Sequence, residues 1–339
     1  MPVSDTAFTE DDIRPHRFDE GKSAALQRDL AWLAERASTF VVVPCPACAS
    51  HDREAAFEKF GFSFARCKRC RTAYMNPRAT AATLAEFYAR SALYEFWNEH
   101  IFPASREVRR EKIFRPRAER IMALCAALDV PTGMLVEIGA ANGTFCEEVI
   151  RTGAFRRVVA VEPGRALAIT CRDLGIETIE SSVEEVSDLD GTADVVASFE
   201  TIEHLFSPRD FIVKCHGLLV ENGLLVLTCP NYEGFDIQTL GVDSDSLDAE
   251  HINLFNPEAL ASLVARCGFR VVECSTPGEL DAELVRRKVN EGRLDLSRQP
   301  FLKMVLVERW GELGARFQEF LKASGLSSHL WLVAQRRRR

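Results

Sequence analysis

Three observations predict a doubly wound α/β fold with a mainly parallel sheet. From Met134 onward, apolar runs of strand length alternate with helical stretches that carry their own caps. The first run breaks into a bend of glycines and small residues, LVEIGAANGTF from Leu135 to Phe145. The second, RVVAVEP, ends in a carboxylate, Glu162. A strand, a tight turn, a helix and a second strand tipped by an acid form the unit that such sheets use to hold a nucleoside at their carboxyl edge.

Taken in order, MLVEI is a buried strand, followed by the glycine turn and a helix through Ile150. RVVAVEP is the second strand, Ile176 to Ile179 a weak third, and DVVASFE from Asp194 the fourth. Ser207, Pro208 and Asp210 read as N-cap, N1 and N3 of the next helix, closing near Asn222-Gly223. GLLVLTCPN is the fifth strand, and Asn256-Pro257-Glu258 opens a helix that Gly268 ends. RVVECSTP and, after about fifty residues from Gly278 to Ser328, HLWLVAQR supply the last two strands. That 278–328 stretch reads as a helical insertion suited to substrate specificity or a dimer contact.

The whole chain sets the limits. With 339 residues there is room for a large domain and a smaller one, and 47% hydrophobic with 27% charged residues is a globular balance. No apolar run reaches 18 residues, so a membrane span is not expected. The acidic start MPVSDTAFTEDDIRPHRFDE lacks an apolar core of the secretory kind, which points to a cytoplasmic protein. A net charge of −8 argues against a broad nucleic-acid surface. The basic run Arg336 to Arg339 reads as a solvated terminus.

Of eleven cysteines, seven stand singly in apolar or helical contexts. The other four form two C-x2-C pairs, Cys45 with Cys48 and Cys67 with Cys70, eighteen residues apart. Each pair lets one tight turn aim two sulfurs at a single ion, and two such turns complete a tetrahedron. Four thiolates leave no open position, so a zinc ion here would be structural. Between the pairs, phenylalanines alternate with polar residues around Gly61, the pattern of a short hairpin. Beyond them Thr80 caps a helix running toward Tyr88, with Tyr74, Tyr94 and Trp97 nearby as core aromatics or as a cap over the main pocket. Residues from Ala104 to Leu128 read as one long amphipathic helix. The organisation predicted is a helical or flexible segment at 1–40, a zinc ribbon at 41–78, a helical lid or linker at 79–116 and the main domain at 117–339.

The turn itself selects the ligand. Gly139 and Gly143 lie four apart, Ala141 stands where a second glycine often does, and no lysine follows, which excludes a P-loop. Glu162, 23 residues after Gly139, is placed to accept both ribose hydroxyls. Glu137, inside the first strand, would repel a pyrophosphate and suits an ammonium group. S-adenosylmethionine carries both features, so Glu137, Gly139, Ala141, Gly143 and Glu162, flanked by Pro163 and by Phe199 at the fourth strand's tip, form the candidate cofactor set.

On the residues VEIGAANG, VVAVEP, SSVEEV, DVVASFETIEHLFSP and LLVLTCPN, the chain resembles the class I S-adenosylmethionine-dependent methyltransferases over about Arg117 to Arg336. The resemblance implies a Rossmann-like sheet of seven strands with the last antiparallel, and it places Ser182 and Val183 beside the adenine. The cysteines joined to YMNPR, with EHINLFNPEAL and CGFRVVECSTPGELD, are similar to zinc-ribbon methyltransferases, including some acting on nucleotide-linked sugars.

At the fourth strand's end, Glu200, Glu203 and His204 are spaced for one helical turn. Three readings stay open. His204 is a general base; or Glu200, Glu203, His204 and the distant His251 chelate a divalent ion, magnesium being the candidate, as the resemblance of E-x-x-E-H to ubiquinone-pathway and small-RNA methyltransferases implies; or Glu203 and His204 only cap and pair at a helix start. Tyr74, Tyr88, Asn231 and Tyr232 are candidate acceptor contacts, and the remaining histidines need only core or surface roles. The expected function is methyl transfer to oxygen or carbon of a small polar biosynthetic intermediate, a nucleotide-linked sugar or glycan first. The rivals are a metal-dependent RNA-end 2′-O-methyltransferase and an inactive zinc-ribbon binding protein. Oligomeric state is not legible.

Overall fold

The computed structural model describes residues 8–337. Among the described residues eleven strands form two sheets: β1 (Arg53–Lys59), β2 (Phe62–Cys67), β3 (Ala73–Met75), β4 (Met134–Ile138), β5 (Arg157–Val161), β6 (Glu177–Ile179), β7 (Ala193–Phe199), β8 (Leu219–Pro230), β9 (Asn253–Leu254), β10 (Phe269–Ser275) and β11 (His329–Arg336). The larger sheet runs β10-β11-β8-β7-β4-β5-β6. Pairings among β4 to β8 are parallel, and β11 is antiparallel to both β8 and β10, as the sequence predicts. β4 and β7 are buried along their whole length, which is why their sequences are continuous apolar runs and not alternating ones.

The order reverses between β4 and β7, so a crevice opens at the carboxyl ends of these two strands. The helix Thr144–Thr152 starts directly after Gly143 (φ 73°) and stops at Gly153 (φ 65°), because both ends need left-handed backbone. Ser207 caps the helix Pro208–Leu218 through the Asp210 amide, as expected, but the helix ends four residues before Asn222. Asn222 (φ 62°) instead bends β8, whose first residues continue straight from the helix. The long helix over Ala104 to Leu128 is two helices, Phe102–Arg109 and Arg115–Ala127, joined by a wide turn at Arg110–Phe114. Pro116 explains the break: it has no N–H to donate and its ring crowds the carbonyl four residues back, so Arg115 bonds to Arg110 instead.

The smaller sheet runs β1-β2-β3-β9. β1 and β2 make the anticipated hairpin, turning at Phe60 (φ 54°) and Gly61 (φ 81°), a pair of left-handed residues of the type that matches strand twist. The fourth strand was not foreseen. β9 comes from the loop after β8 and adds to the edge of β3, so the cysteine-bearing sheet borrows a strand from the main domain. Phe62, Phe64, Met75, Phe87, Ile252 and Leu254 bury their side chains together across this seam, with Leu30, Trp32 and Leu33 of the helix Asp19–Ala34. Each such side chain contributes about 1.5–3 kcal/mol on burial. The two sheets are therefore one folding unit, and residues 10–34 are helical and packed for most of their length.

The 278–328 stretch is helical, with Asp281–Asn290 and Trp310–Ala323 around a core of Val285, Leu296, Val305, Leu306 and Leu321. Asp281, 4% exposed, accepts hydrogen bonds from Ser327, Ser328 and Gln318 and fastens this unit to the start of β11. No helix among the described residues is long and apolar enough to cross a membrane. Arg338 and Arg339 of the basic tail lie outside the described residues.

Candidate active site

The turn after β4 folds as a cradle because three of its residues take left-handed backbone: Gly139 (φ 74°), Ala141 (φ 47°) and Gly143 (φ 73°). At Gly143 a Cβ would come within 2.7 Å of Ile176, and at Gly139 within 2.5 Å of the Thr201 hydroxyl. The second contact matters for function. It brings the turn after β4 directly against the turn after β7, the two lips of the crevice. Glu162, 6% exposed, accepts from the Ala141 amide (2.9 Å) and the Gly164 amide (2.8 Å), so the acid at the tip of β5 is clamped to the glycine turn. Burial pushes its pKa up to about 7, against the pull of those two amides. Glu137, 3% exposed, accepts from the Cys146 thiol at 3.0 Å, and burial raises it to about 8. Val183 is buried and Ser182 half-buried at the start of the turn that follows β6. Phe199 lies edge-on to Phe145 at 4.8 Å, while Pro163 is exposed beside Glu162.

Directly after Thr201 in the chain comes a second group. Ile202–His204 is a single tight helical turn. Within it Glu203 is 0% exposed, and neither carboxylate oxygen has a hydrogen-bond partner among the described residues. Glu203, His204 and His251 present ligand atoms that all lie within 4.8 Å of one another. Both imidazoles are oriented from behind. Nδ1 of His204 meets the Glu250 carbonyl at 3.2 Å, and Nδ1 of His251 meets the Ser246 carbonyl at 2.8 Å. A carbonyl only accepts, so each Nδ1 carries the proton and each Nε2 is left with a bare lone pair. Burial, then His251, holds the pKa of His204 well below that of a free imidazole, and burial, then Glu200, pushes Glu203 well above the carboxylate range. An orphaned buried carboxylate beside two imidazoles locked from behind by carbonyls has the donors and the outer support of a divalent-cation site.

Glu200 does not join this set. Its Oε1 accepts from Thr228 at 2.6 Å and lies 3.4 Å from Nδ1 of His329 and 3.7 Å from Arg117. Burial alone would raise its pKa, but His329, Arg117 and the Thr228 hydroxyl bring it below the ordinary value. Its backbone is left-handed without being glycine (φ 49°), strain of the kind found where a chain must aim a group into a cleft. His329 and Arg117 were not anticipated. His329 opens β11, and only the insertion of β11 beside β8 brings it to Glu200. Arg117 lies over the Phe199 ring at 4.6 Å.

Of the four proposed acceptor contacts, one reaches this place. Tyr88 meets the His204 ring edge-on at 6.0 Å, with Tyr94 edge-on behind it at 5.6 Å. Tyr74 is 0% exposed and packed in the core with Cys45 and Cys67. Asn231 is 0% exposed, bonded to the carbonyls of Ser327 and Gly325 and to the Glu233 amide, so it locks a turn. Tyr232 stacks on Phe57 at 6.4 Å and lines a separate cleft of about 310 Å³ with Arg66, Glu233 and Gln238.

The four cysteines come together as predicted. Their sulfurs lie within 4.8 Å of one another, with Cys45–Cys70 and Cys48–Cys67 at 3.5 Å. Zinc–sulfur bonds of about 2.3 Å in a tetrahedron put sulfurs about 3.8 Å apart. The cluster therefore fits a structural zinc ion in ligand type, number and size.

Residues 108–274 match the family model described as a methyltransferase domain. Over 153 residues the chain is 29% identical to a probable S-adenosylmethionine-dependent methyltransferase of Mycobacterium tuberculosis (strain ATCC 25618 / H37Rv), covering 44% of this chain and 52% of that one. It is 28% identical to the C-methyltransferase NovU of Streptomyces niveus, covering 42% and 34%, and 26% identical to a ubiquinone biosynthesis O-methyltransferase of Bradyrhizobium diazoefficiens, covering 32% and 45%. The matched stretch thus spans about half or less of these relatives' own length. The strand order, the clamped acid at the tip of β5 and the family match together make residues 108–274 similar to the methyltransferase domains that use S-adenosylmethionine.

Proposed function

We propose that the chain transfers a methyl group from S-adenosylmethionine to a small polar biosynthetic acceptor, with a nucleotide-linked sugar or glycan first in line and oxygen and carbon acceptors both open. One observation carries this reading. Thr201, whose hydroxyl occupies the place a Cβ on Gly139 would take, directly precedes the turn that carries Glu203 and His204. A methyl donor in the cradle after β4 would sit beside the proton-accepting groups of that turn. Glu162 would take the ribose hydroxyls, Glu137 the methionine ammonium, and Ser182 and Val183 the adenine edge. The sulfonium is already a good leaving group, so the protein's task is in-line positioning and removal of one proton from the acceptor.

His204 suits that task through Nε2, which is unprotonated at neutral pH and held in one tautomer by the Glu250 carbonyl. The tyrosines of the helical lid, Tyr88 and Tyr94, would wall off water above it. A second reading is favoured by the partnerless carboxylate of Glu203: Glu203, His204 and His251 would hold a divalent ion, magnesium or a metal with more taste for nitrogen, without Glu200. Such an ion would lower the pKa of a coordinated acceptor hydroxyl. A structural zinc on Cys45, Cys48, Cys67 and Cys70 belongs to both readings. The net charge of −8 favours a small acceptor over an RNA end.

The test is incorporation of labelled methyl from the cofactor into a panel of nucleotide-linked sugars, then into a metabolite extract, with and without chelator. Product formation abolished by His204→Ala supports the function. Dependence on added magnesium or manganese selects the metal reading, and indifference to chelator selects the base. Cofactor binding with no methylated product from any small-molecule pool would overturn the proposal.

A further inference from the structure

Arg78 is 3% exposed, and burial lowers its pKa to about 10 with no carboxylate beside it among the described residues. An unpaired buried charge is expensive, and a methionine of similar shape would fill the space without that penalty. Its contacts show what it holds. The backbone is fixed to the cysteine module, Arg78 donating to the Val41 carbonyl at 3.0 Å and accepting from Val41 at 2.8 Å. The guanidinium crosses into the main domain, donating to Asn253 Oδ1 at 2.7 Å and to the Phe206 carbonyl at 2.6 Å, with its plane over the Phe206 ring.

Asn253, 1% exposed, is the second relay. With its oxygen taken by Arg78, its amide nitrogen faces the carbonyls of Leu205 (2.7 Å), Glu203 (3.2 Å) and Ile202 (3.4 Å). Those are the carbonyls of the turn that carries Glu203 and His204. The same strand sets the other half of the group. β9 pairs with β3, and Met75 donates to the Ile252 carbonyl at 3.0 Å, which fixes the chain just after His251. Lys59 of the hairpin donates to the Ser244 carbonyl at 2.7 Å, two residues before the carbonyl that orients His251.

From this geometry we infer that Arg78 is a positioning residue, and that through Asn253 it sets the placement of Glu203 and His204 from the cysteine module. The module is then part of the acceptor side of the site and has no part in holding the cofactor. This rests on the reading of Glu203, His204 and His251 as the acceptor-side machinery. It also accounts for the loan of β9: a strand shared between the sheets transmits position more rigidly than a loop.

Two variants of the zinc-loaded full chain test it. Arg78→Met removes both guanidinium bonds. Asn253→Asp gives the buried guanidinium a counter-ion, favouring the fold, while depriving the three carbonyls of their donor. The first readout is the ring nitrogens of His204 and His251 in histidine-labelled protein by long-range nitrogen-15 NMR, which needs neither acceptor nor metal. Wild type should show a single Nδ1–H tautomer for both. In each folded variant His204 should become a tautomer mixture, while affinity for S-adenosylhomocysteine and zinc content stay within about twofold. The second readout is manganese binding by electron spin resonance, expected to weaken about 10–100-fold, as for loss of outer support at a metal site. No manganese binding by wild type removes the metal reading alone and leaves the tautomer result to decide on Arg78. A single unchanged His204 tautomer in either folded variant, a mixture already in wild type, or cofactor affinity falling in step with the His204 change overturns the inference. If Arg78→Met does not fold, Asn253→Asp decides.

Discussion

The two ligand clusters of this chain are built in opposite ways. Cys45, Cys48, Cys67 and Cys70 come from two turns at the ends of one hairpin, so 26 residues contain the whole site. Glu203, His204 and His251 come from turns on either side of β8, and they converge only because β9 has crossed to the other sheet. The cysteine site brings its own geometry and needs only an ion. The second site takes its geometry from a seam, through Arg78, Asn253 and the carbonyls of Ser246 and Glu250. Local sites are robust to change elsewhere in the molecule; assembled sites are not.

The largest effect expected from breaking this arrangement is at the cysteines. Cys67→Ser should abolish binding of one zinc per chain, measured by elemental analysis. It should also lower thermal stability sharply, because metal affinity at a four-thiolate site is folding free energy, of order 10 kcal/mol in isolated zinc-binding peptides. Since the module shares β9, loss of the fold should spread into the seam of Phe62, Phe64 and Leu254 and not stop at residue 78. A variant that loses zinc but keeps the wild-type melting curve would show that the seam holds by itself.

Next in size is the assembled group. Glu203→Gln keeps the shape and removes the carboxyl's capacity to exchange a proton or bind a metal, so the fold and cofactor affinity should stay while turnover falls by about 10²–10⁴, the range for losing a proton-transfer or metal-binding group. A variant that turns over at the wild-type rate would reduce Glu203 to a helix-turn residue.

How much of this was legible follows from the same contrast. The seven strands with an antiparallel last one, the glycine turn, the acid at 162 and the cysteine pairs were readable, because each is a contiguous pattern whose chemistry depends on spacing within one or two elements. Tyr74 and Asn231 were misplaced because sequence shows that a polar or aromatic residue follows a strand, but not that β9 and the Ser327 carbonyl lie in front of it. Arg117 and His329 carried no local signal at all, and Arg78 stood in the motif YMNPR with nothing there to give it a role. Each is a single charged or titratable residue whose partner is more than 80 positions away, and only the topology introduces them. Glu200 shows the reverse error: right spacing for a shared face, but a left-handed backbone turned it toward Thr228.

A smaller effect should appear in pH dependence, and it separates the cradle from the fold. Burial raises Glu162 to about 7 and Glu137 to about 8, so both prefer to be neutral in the free protein. For the free protein the sign is therefore negative: their contribution to stability is complete below an ordinary carboxylate pKa and declines as pH rises through 7 to 8. For cofactor binding the sign is opposite, because an ammonium and ribose hydroxyls favour the ionised acids. Affinity for S-adenosylhomocysteine should thus climb several-fold from pH 6 to 8.5 while the melting temperature of the free protein drifts down. Parallel movement of the two would mean that these acids do not face the cofactor.

The most direct test of the central claim, that the clamped acid after β5 and the turn after β4 grip a sulfonium nucleoside, is calorimetric titration of the zinc-loaded chain with S-adenosylhomocysteine. The account predicts one site per chain, weakened about 10–100-fold by Glu162→Ala, as expected for losing hydrogen bonds to a charged group, and unchanged by Glu203→Gln. No heat of binding in the wild type, or equal affinity in wild type and Glu162→Ala, would contradict it.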